Sequence, residues 1–137
     1  MRRIDLIKAT AWAIVLCFAT GCAGSPIAVS RLSPEQLTQE HSATLCNAWF
    51  YNRSPQIRAE LDRRGAVSRW DWIERGSMWL TMTPVELQCS KGRPSNVISY
   101  NDYRGNIQVF EYYDYSAFAS GLIVRIEDGA ATNITQY

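Results

Sequence analysis

The sequence has little of what catalytic and nucleic-acid-binding proteins use. It contains one histidine, a formal net charge of +1, and 8 glycines and 5 prolines in 137 residues. The near balance of charge leaves no basic surface of the kind that binds nucleic acid, and the modest glycine and proline content excludes collagen-like and low-complexity chains. No glycine-rich phosphate-binding loop is present. The length and the 47% hydrophobic content predict one globular domain.

Residues suited to catalysis are few. The single histidine, His41, falls at helical spacing with Leu37 and Leu45, which favours a residue at the boundary of the core over a general base. Two carboxylate pairs lie on predicted helices near arginines, an arrangement typical of solvated salt bridges. These pairs are Glu60 with Asp62, and Asp71 with Glu74. We therefore predict no enzymatic activity, no cofactor and no metal site; an activity lost in His41→Ala would contradict this.

Residues 1–21 have the pattern of a secretory signal peptide. Three basic side chains and one acidic side chain lie in residues 1–8, and residues 9–20 form an apolar run. That run is too short to span a hydrocarbon layer of about 30 Å as a helix. It also has no polar face, which argues against the alternative of an amphipathic or core helix. Removal of this leader would leave a nearly neutral chain.

The residues at the predicted cleavage site resemble the lipobox of bacterial lipoproteins. Ala19, Thr20 and Gly21 are small and directly precede Cys22. The resemblance implies that the Cys22 thiol is acylated, which anchors a protein to a membrane without spanning it. Because Ala23 stands where an aspartate usually retains Gram-negative lipoproteins in the inner membrane, we expect the periplasmic face of the outer membrane. The alternative is an ordinary thiol after a cleavage site.

Two further cysteines lie in the body of the chain. In an oxidising periplasm Cys46 and Cys89 predict one disulfide, which contributes roughly 4 kcal/mol for a loop of this length in the chain-entropy model. Two buried free thiols are one alternative, and a metal pair with His41 is another. A zinc site, however, needs four ligands at close spacing.

The starts of three helices are marked by a hydroxyl residue followed by proline. Ser33, Ser54 and Thr83 each place a capping hydroxyl before a proline at the first helical position. Ser33 and Thr83 also have Gln or Glu three residues later, which completes a capping box. Ser68 is the expected cap of a further short helix. After a tether at residues 22–32, the pattern predicts helices at 34–52, 55–64, 69–75 and 84–91.

From residue 96 the hydrophobic pattern changes to alternation. We predict strands at 96–100, 107–114, 121–127 and 130–136, with a two-residue turn at Asp128 and Gly129. Helices followed by strands predict an α+β fold, with N-terminal helices packed on one face of a small three- to four-stranded antiparallel sheet. We expect a single domain at 33–137, in which residues 33–76 form a helical lead-in and residues 77–137 a helix plus the sheet.

Several features of residues 77–137 occur in a familiar order. Met82-Thr83 opens a capped helix, Gly92-x-Pro94 closes it, an aromatic strand follows at 110–113, and a hairpin turns at Asp128-Gly129. This stretch resembles the SmpA/OmlA domain of small bacterial outer-membrane lipoproteins, the BamE-like group. The chain departs from the family pattern in having Thr81 where a glycine commonly precedes the methionine, and Phe110 where a tryptophan is usual.

The residues before this stretch extend the resemblance to about two-thirds of the chain. Leu45-Cys46, Arg63-Arg64-Gly65 and Trp72-Ile73 are similar to the helical lead-in of lipoproteins that carry the same domain. The resemblance implies a layered α+β fold, a periplasm-facing outer-membrane location and a binding or scaffolding role. The same fold serves a secreted inhibitor of β-lactamases, so the fold leaves the partner open.

Aromatic residues are concentrated in the predicted sheet beyond what packing on one face requires. Tyrosine combines a large contact area with a hydrogen-bonding tip and is enriched at protein interfaces. We predict contacts to an envelope protein from Tyr103, Phe110, Tyr112, Tyr113, Tyr115 and Phe118. The alternative reading is that half of the aromatics are core and the rest ordinary strand residues. A protein-binding or scaffolding module is the leading hypothesis, and a periplasmic inhibitor or small-ligand binder using the same aromatics is the second.

Overall fold

The computed structural model describes residues 25–114 and 120–137, and within them six helices precede four strands. This order confirms the α+β class. The helices are α1 (Pro26–Val29), α2 (Pro34–Leu37), α3 (Ser42–Asn52), α4 (Pro55–Arg63), α5 (Trp70–Glu74) and α6 (Pro84–Lys91). The strands are β1 (Asn96–Asp102), β2 (Gly105–Asp114), β3 (Ser120–Glu127) and β4 (Ala130–Gln136).

The four strands form one antiparallel sheet in the order β1-β2-β3-β4. Each neighbour in the sheet is also the neighbour in sequence, so the sheet is a meander. The β3–β4 hairpin turns at Asp128 and Gly129, whose φ angles of 48° and 82° are both positive, as a primed two-residue turn requires. The turn predicted from the sequence is therefore confirmed. The β1–β2 hairpin is equally tight, because Asp102 already pairs with Gly105.

The core lies between the helices and one face of the sheet. Its side chains are aliphatic or aromatic on both sides, and most of them are fully buried. The helices contribute Leu37, Leu45, Ile57, Leu61, Ile73 and Leu87, and the sheet contributes Phe110, Val124, Ile126 and Ala131. Burial of this apolar surface holds the two layers together.

The cysteine pair joins two helices within this core. Cys46 of α3 and Cys89 of α6 are fully buried and placed as a disulfide, with their Cα atoms 4.3 Å apart. That separation is close to the lower limit of the range that disulfides usually span. The geometry therefore fits the bridge expected from the sequence.

Both predicted capping boxes are present. The Ser33 hydroxyl accepts a hydrogen bond from the Gln36 amide at 3.3 Å, and the Thr83 hydroxyl accepts one from the Glu86 amide at 3.2 Å. The Glu86 side chain is buried. Its Oε1 atom accepts hydrogen bonds from the backbone amide and the hydroxyl of Ser68 at 2.8 and 2.5 Å. The prediction that Ser68 caps α5 is wrong, because Glu86 engages both of its polar groups and Arg69 is the cap residue.

The helix predicted at 34–52 is interrupted. Residues 38–41 separate α2 from α3, and His41 is the exposed cap residue of α3 rather than part of a continuous stripe with Leu37. The guanidinium of Arg64 supplies the reason, since it donates hydrogen bonds to the carbonyls of Leu37 and Glu40 at 2.8 and 2.6 Å. A side chain from α4 therefore replaces donors that a continued helix would have provided.

Part of the predicted tether belongs to the domain. Residues 26–29 form α1, and Val29 is 1% exposed within the core. Residues 23–32 have no periodic hydrophobic pattern, so the burial of a single side chain there could not be predicted from the sequence. Residues 1–24, including the predicted leader and Cys22, lie outside the described residues.

The segment before α6 pairs with the outer edge of β4 at one residue, Ala131. The Thr81 amide donates to the Ala131 carbonyl at 2.7 Å, and the Ala131 amide donates to the Met82 carbonyl at 2.9 Å. Thr81 has a φ of 76°, in the left-handed region that a glycine would adopt without strain. A β-branched residue therefore holds a conformation that glycine adopts more easily.

Candidate protein-binding surface

The strand register assigns the sheet residues to two faces. Phe110 pairs with Val124, and both lie in the core beneath the helices. Because side chains alternate along a strand, the residues next to them point away from the helices. We call this second side the outer sheet face. Its paired rows run Ile98–Val109–Arg125–Asn133 and Tyr100–Ile107–Glu127–Ala130.

The outer sheet face exposes large apolar side chains. Ile98 and Tyr100 of β1 are 45% and 41% exposed, Tyr113 of β2 is 41% exposed, and Tyr137 is 56% exposed. Between them, Ile107 is fully buried although it does not belong to the helix-facing core. The outer face thus has a small apolar centre of its own, with exposed side chains around it.

A cluster of ion pairs borders this apolar centre. Arg125 Nε donates to Glu127 Oε1 at 2.7 Å, and its Nη1 donates to the Tyr100 hydroxyl at 3.1 Å. Arg104 lies 3.3 Å from Asp102 and 3.6 Å from Glu127. The bond to Glu127 raises the pKa of Arg125. Two cations and two anions balance here, so the cluster fixes Tyr100 without giving the face a net charge.

The opposite end of the outer face is organised by Glu111. The Asn96 side-chain amide and the Tyr113 hydroxyl each donate to Glu111 Oε2 at 2.8 Å, and these two bonds lower the pKa of the carboxyl group. Nearby, the backbones of Gly121 and Tyr137 exchange hydrogen bonds at 2.8 and 3.0 Å. A Cβ on Gly121 would run into the Tyr137 ring, so glycine allows that ring to lie flat on the sheet.

Two of the predicted contact residues are on the wrong side of the sheet for that role. Phe110 is 4% exposed in the core, and the Tyr112 hydroxyl donates to the Gly92 carbonyl at 3.2 Å on the helix side. Burial raises the pKa of Tyr112. Aromatic residues occupy both faces of β2, so the sequence pattern alone did not separate its buried face from its exposed face.

The other predicted contact residues have different outcomes. Tyr113 lies on the outer sheet face, and Tyr103 is 93% exposed at the tip of the β1–β2 hairpin. Tyr115 and Phe118 lie outside the described residues. The sequence interpretation did not assign Ile98, Tyr100 or Tyr137 to the site. Applying the two-residue period from Tyr113 through the β1–β2 register would have placed Ile98 and Tyr100 on one face, whereas Tyr137 reaches that face only through the register shift between Arg125 and Ile126.

The helical side has a second aromatic surface, which the sequence interpretation also missed. The Arg53 guanidinium lies 4.1 Å from the centre of the Trp49 ring, and that of Arg58 lies 4.7 Å from the Trp70 ring. The Trp49 and Trp70 rings meet edge to face at 5.0 Å. Such cation–π contacts contribute to packing among α3, α4 and α5. The two arginine side chains therefore cover the solvent side of the tryptophan pair at the boundary of the hydrophobic core.

The described residues hold little that points to catalysis or a membrane span. Within 25–114 and 120–137, no three His, Cys, Asp or Glu side chains are grouped so that they could hold a metal ion. In the same ranges no helix has the length and hydrophobicity needed to cross a membrane. No family model, curated protein or solved structure matches this chain.

Proposed function

We propose that this chain is an outer-membrane lipoprotein, anchored through an acylated Cys22, which binds another envelope protein at its outer sheet face during cell-envelope assembly or maintenance. The basic leader and the small residues before Cys22 support the anchor. The resemblance of residues 77–137 to the SmpA/OmlA domain supports the same compartment and a scaffolding role. Binding is favoured over catalysis because the sole histidine is an exposed helix cap.

The observation that carries this proposal is the exposed apolar surface of the outer sheet face. Tyr113 and Tyr137 supply large contact area with polar tips, which is the composition favoured at protein interfaces. The Arg104–Arg125 ion cluster at the other end of this face corresponds to the polar rim that surrounds such interfaces. An open sheet face suits a protein partner better than a small molecule, since small ligands bind in concave pockets.

A photo-crosslinking amino acid at position 113 tests the surface. In cells that make the full chain, we expect an adduct with one envelope protein from position 113. Position 27 is a matched control, because Ile27 is 57% exposed on α1 at the helical side. Adducts formed equally from both positions, or only with lipid and abundant porins, would contradict the proposed surface.

Labelled palmitate tests the anchor separately. The full chain should incorporate the label, and Cys22→Ser should abolish incorporation. Cys17→Ser is the control, since Cys17 lies within the predicted leader and its loss should leave the label in place. A native product with an intact leader or an unmodified Cys22 would overturn the lipoprotein assignment and leave the surface experiment unaffected.

A further inference from the structure

The two edges of the sheet differ in how they are covered. On β4, Thr81 and Met82 pair with Ala131, and the register shifts between Arg125 and Ile126 on the neighbouring strand. Both devices hinder the addition of another strand. Among the described residues, no segment pairs with the outer edge of β1. The backbone N–H and C=O groups that point outward from β1 therefore have no strand partner in this part of the chain.

The composition of β1 leaves that edge unprotected. The strand Asn96–Asp102 contains no proline, lysine or arginine, and residues 96–101 are all exposed. Val97 is 43% exposed toward the helix side, and Ile98 is 45% exposed toward the outer side. Proteins usually guard an edge of this length with charge, proline or a bulge. The single charge, on Asp102, is already compensated by Arg104 and Arg125.

The helix layer also stops short of β1. A cleft of about 520 Å³ separates Val97 and the preceding residues 93–96 from α3 and α6. An added strand would therefore meet no helix at the level of β1. Neither face of the added strand would be covered by the helices of this chain, so side chains of a partner could pack on both faces.

We propose that the β1 edge pairs with β1 of a second copy of this chain, in antiparallel register about a two-fold axis through Ser99. This register places Ile98 of one copy opposite Tyr100 of the other on the outer face, a β-branched and aromatic pair of the kind that stabilises sheets. Asn96 then faces Asp102, so the two carboxylates lie at opposite ends. The result is one eight-stranded sheet whose two outer faces are continuous. This inference needs neither the lipid anchor nor the envelope partner.

A second copy is the occupant that the strand itself favours. About Ser99 the register pairs Ile98 with Tyr100 and Val97 with Asn101, and it keeps the two Asp102 carboxylates apart. The isologous contact that a C₂ axis requires therefore brings no like charges together. A strand from another protein is accordingly one outcome of the test, and it would overturn the proposal.

Cysteine crosslinking tests the register. Facing residues of antiparallel strands have Cα atoms about 4.5–5.5 Å apart, which a disulfide can join. In the full chain, in membranes treated with a mild thiol oxidant, Ser99→Cys should give a reducible species of twice the monomer mass. Thr135→Cys, an exposed position on β4, is the matched control and should give at least about tenfold less. The unsubstituted chain reports any crosslink through Cys22, so failed acylation is recognised separately.

A second variant addresses the edge itself. Ile98→Lys in the Ser99→Cys background should remove the crosslinked species, because a charged side chain at an edge opposes strand pairing. Thr135→Lys in the same background should leave it in place. Equal crosslinking from positions 99 and 135, no crosslinking at 99, or a Ser99→Cys adduct only with a different protein would each overturn the proposal.

Discussion

At the scale of single residues, Thr81 has the backbone conformation least suited to its side chain. A left-handed φ costs an L-residue roughly 1–2 kcal/mol, and a β-branched residue is especially disfavoured there. The two hydrogen bonds that this segment exchanges with Ala131 hold the conformation in place. Thr81 is exposed, so its side chain adds little packing in return.

Thr81→Gly should therefore stabilise the protein. We expect the free energy of unfolding to rise by about 1 kcal/mol, since glycine relieves the strain but loses more backbone entropy on folding. Chemical denaturation measures this change. Thr135→Gly is the control, because that threonine is exposed in a strand with no left-handed φ, and its free energy of unfolding should fall. A decrease in both variants would show that Thr81 is not strained.

Arg64 ties three parts of the helical layer together. It donates to Glu60 at 2.6 Å and to the carbonyls of Leu37 and Glu40 at 2.8 and 2.6 Å. We expect Arg64→Lys to lower the free energy of unfolding by about 1–3 kcal/mol, because an ammonium group cannot reproduce this fork of donors. Arg75→Lys is the matched control; its side chain and that of its partner Asp71 are 65% and 70% exposed, and the change should be within about 0.5 kcal/mol. Equal losses in both would contradict this role.

Glu60 gives the stability a defined pH dependence. Hydrogen bonds from Arg63, and then from Arg64, lower the pKa of Glu60 from 4.5 to about 2. Because the folded pKa is depressed, the contribution is present above pH 4.5 and is lost as the pH falls toward 2. Denaturation curves between these values should show the loss. Glu60→Gln should be less stable at neutral pH and should lack this part of the pH dependence; an unchanged slope would contradict it.

At the scale of elements, the bridge between α3 and α6 closes a long loop. Cys46 and Cys89 are 43 residues apart, for which the chain-entropy model gives roughly 4 kcal/mol. The double variant Cys46→Ala/Cys89→Ala should lose about this amount in chemical denaturation. A reductant should destabilise the original chain and leave the double variant unchanged. Insensitivity of the original chain to reductant would mean that the thiols are not bridged.

Elements whose signals are local were predictable from the sequence. The capping boxes at Ser33 and Thr83 and the turn at Asp128-Gly129 depend on residues within four positions of each other. The break after Leu37 depends on Arg64, which is 27 residues away in sequence, so no local pattern reveals it. Ser68 likewise turns to Glu86 rather than to its own helix.

The candidate surface was predictable only in part, for a related reason. Alternation identifies which residues share a face, but β2 has aromatic or aliphatic residues at Phe110 and Tyr112 as well as at Val109 and Tyr113. Which face the helices cover is decided by tertiary packing. The sequence therefore predicted an aromatic contact surface that included Phe110 and Tyr112, which lie on the helix side of the sheet.

A pair of substitutions separates the two faces. Phe110→Ala should lower the free energy of unfolding by about 3–5 kcal/mol, because it leaves a cavity in the core. Tyr113→Ala, on the outer face, should lower it by about 1 kcal/mol or less. Thermal or chemical denaturation measures both. Similar losses from the two positions would mean that the outer face is covered in the folded protein.

At the scale of the whole molecule, one layer is closed and the other is open. Helices, a disulfide pair and arginine–tryptophan contacts cover one side of the sheet. On the other side, several tyrosines are exposed, and an ion cluster without net charge lies at one end of the face. Stability is thus concentrated on the helical side, so the outer face can change its residues with little effect on folding.

The short segment at Thr81 and Met82 sets how far such a sheet can grow. A sheet with two free edges can add copies without limit, as fibres do. Here Thr81 and Met82 already pair with Ala131 on the β4 edge, whereas no described segment pairs with the β1 edge. The proposed β1–β1 pairing would therefore join two copies and leave no second edge of the same kind, so association through β1 would stop at two.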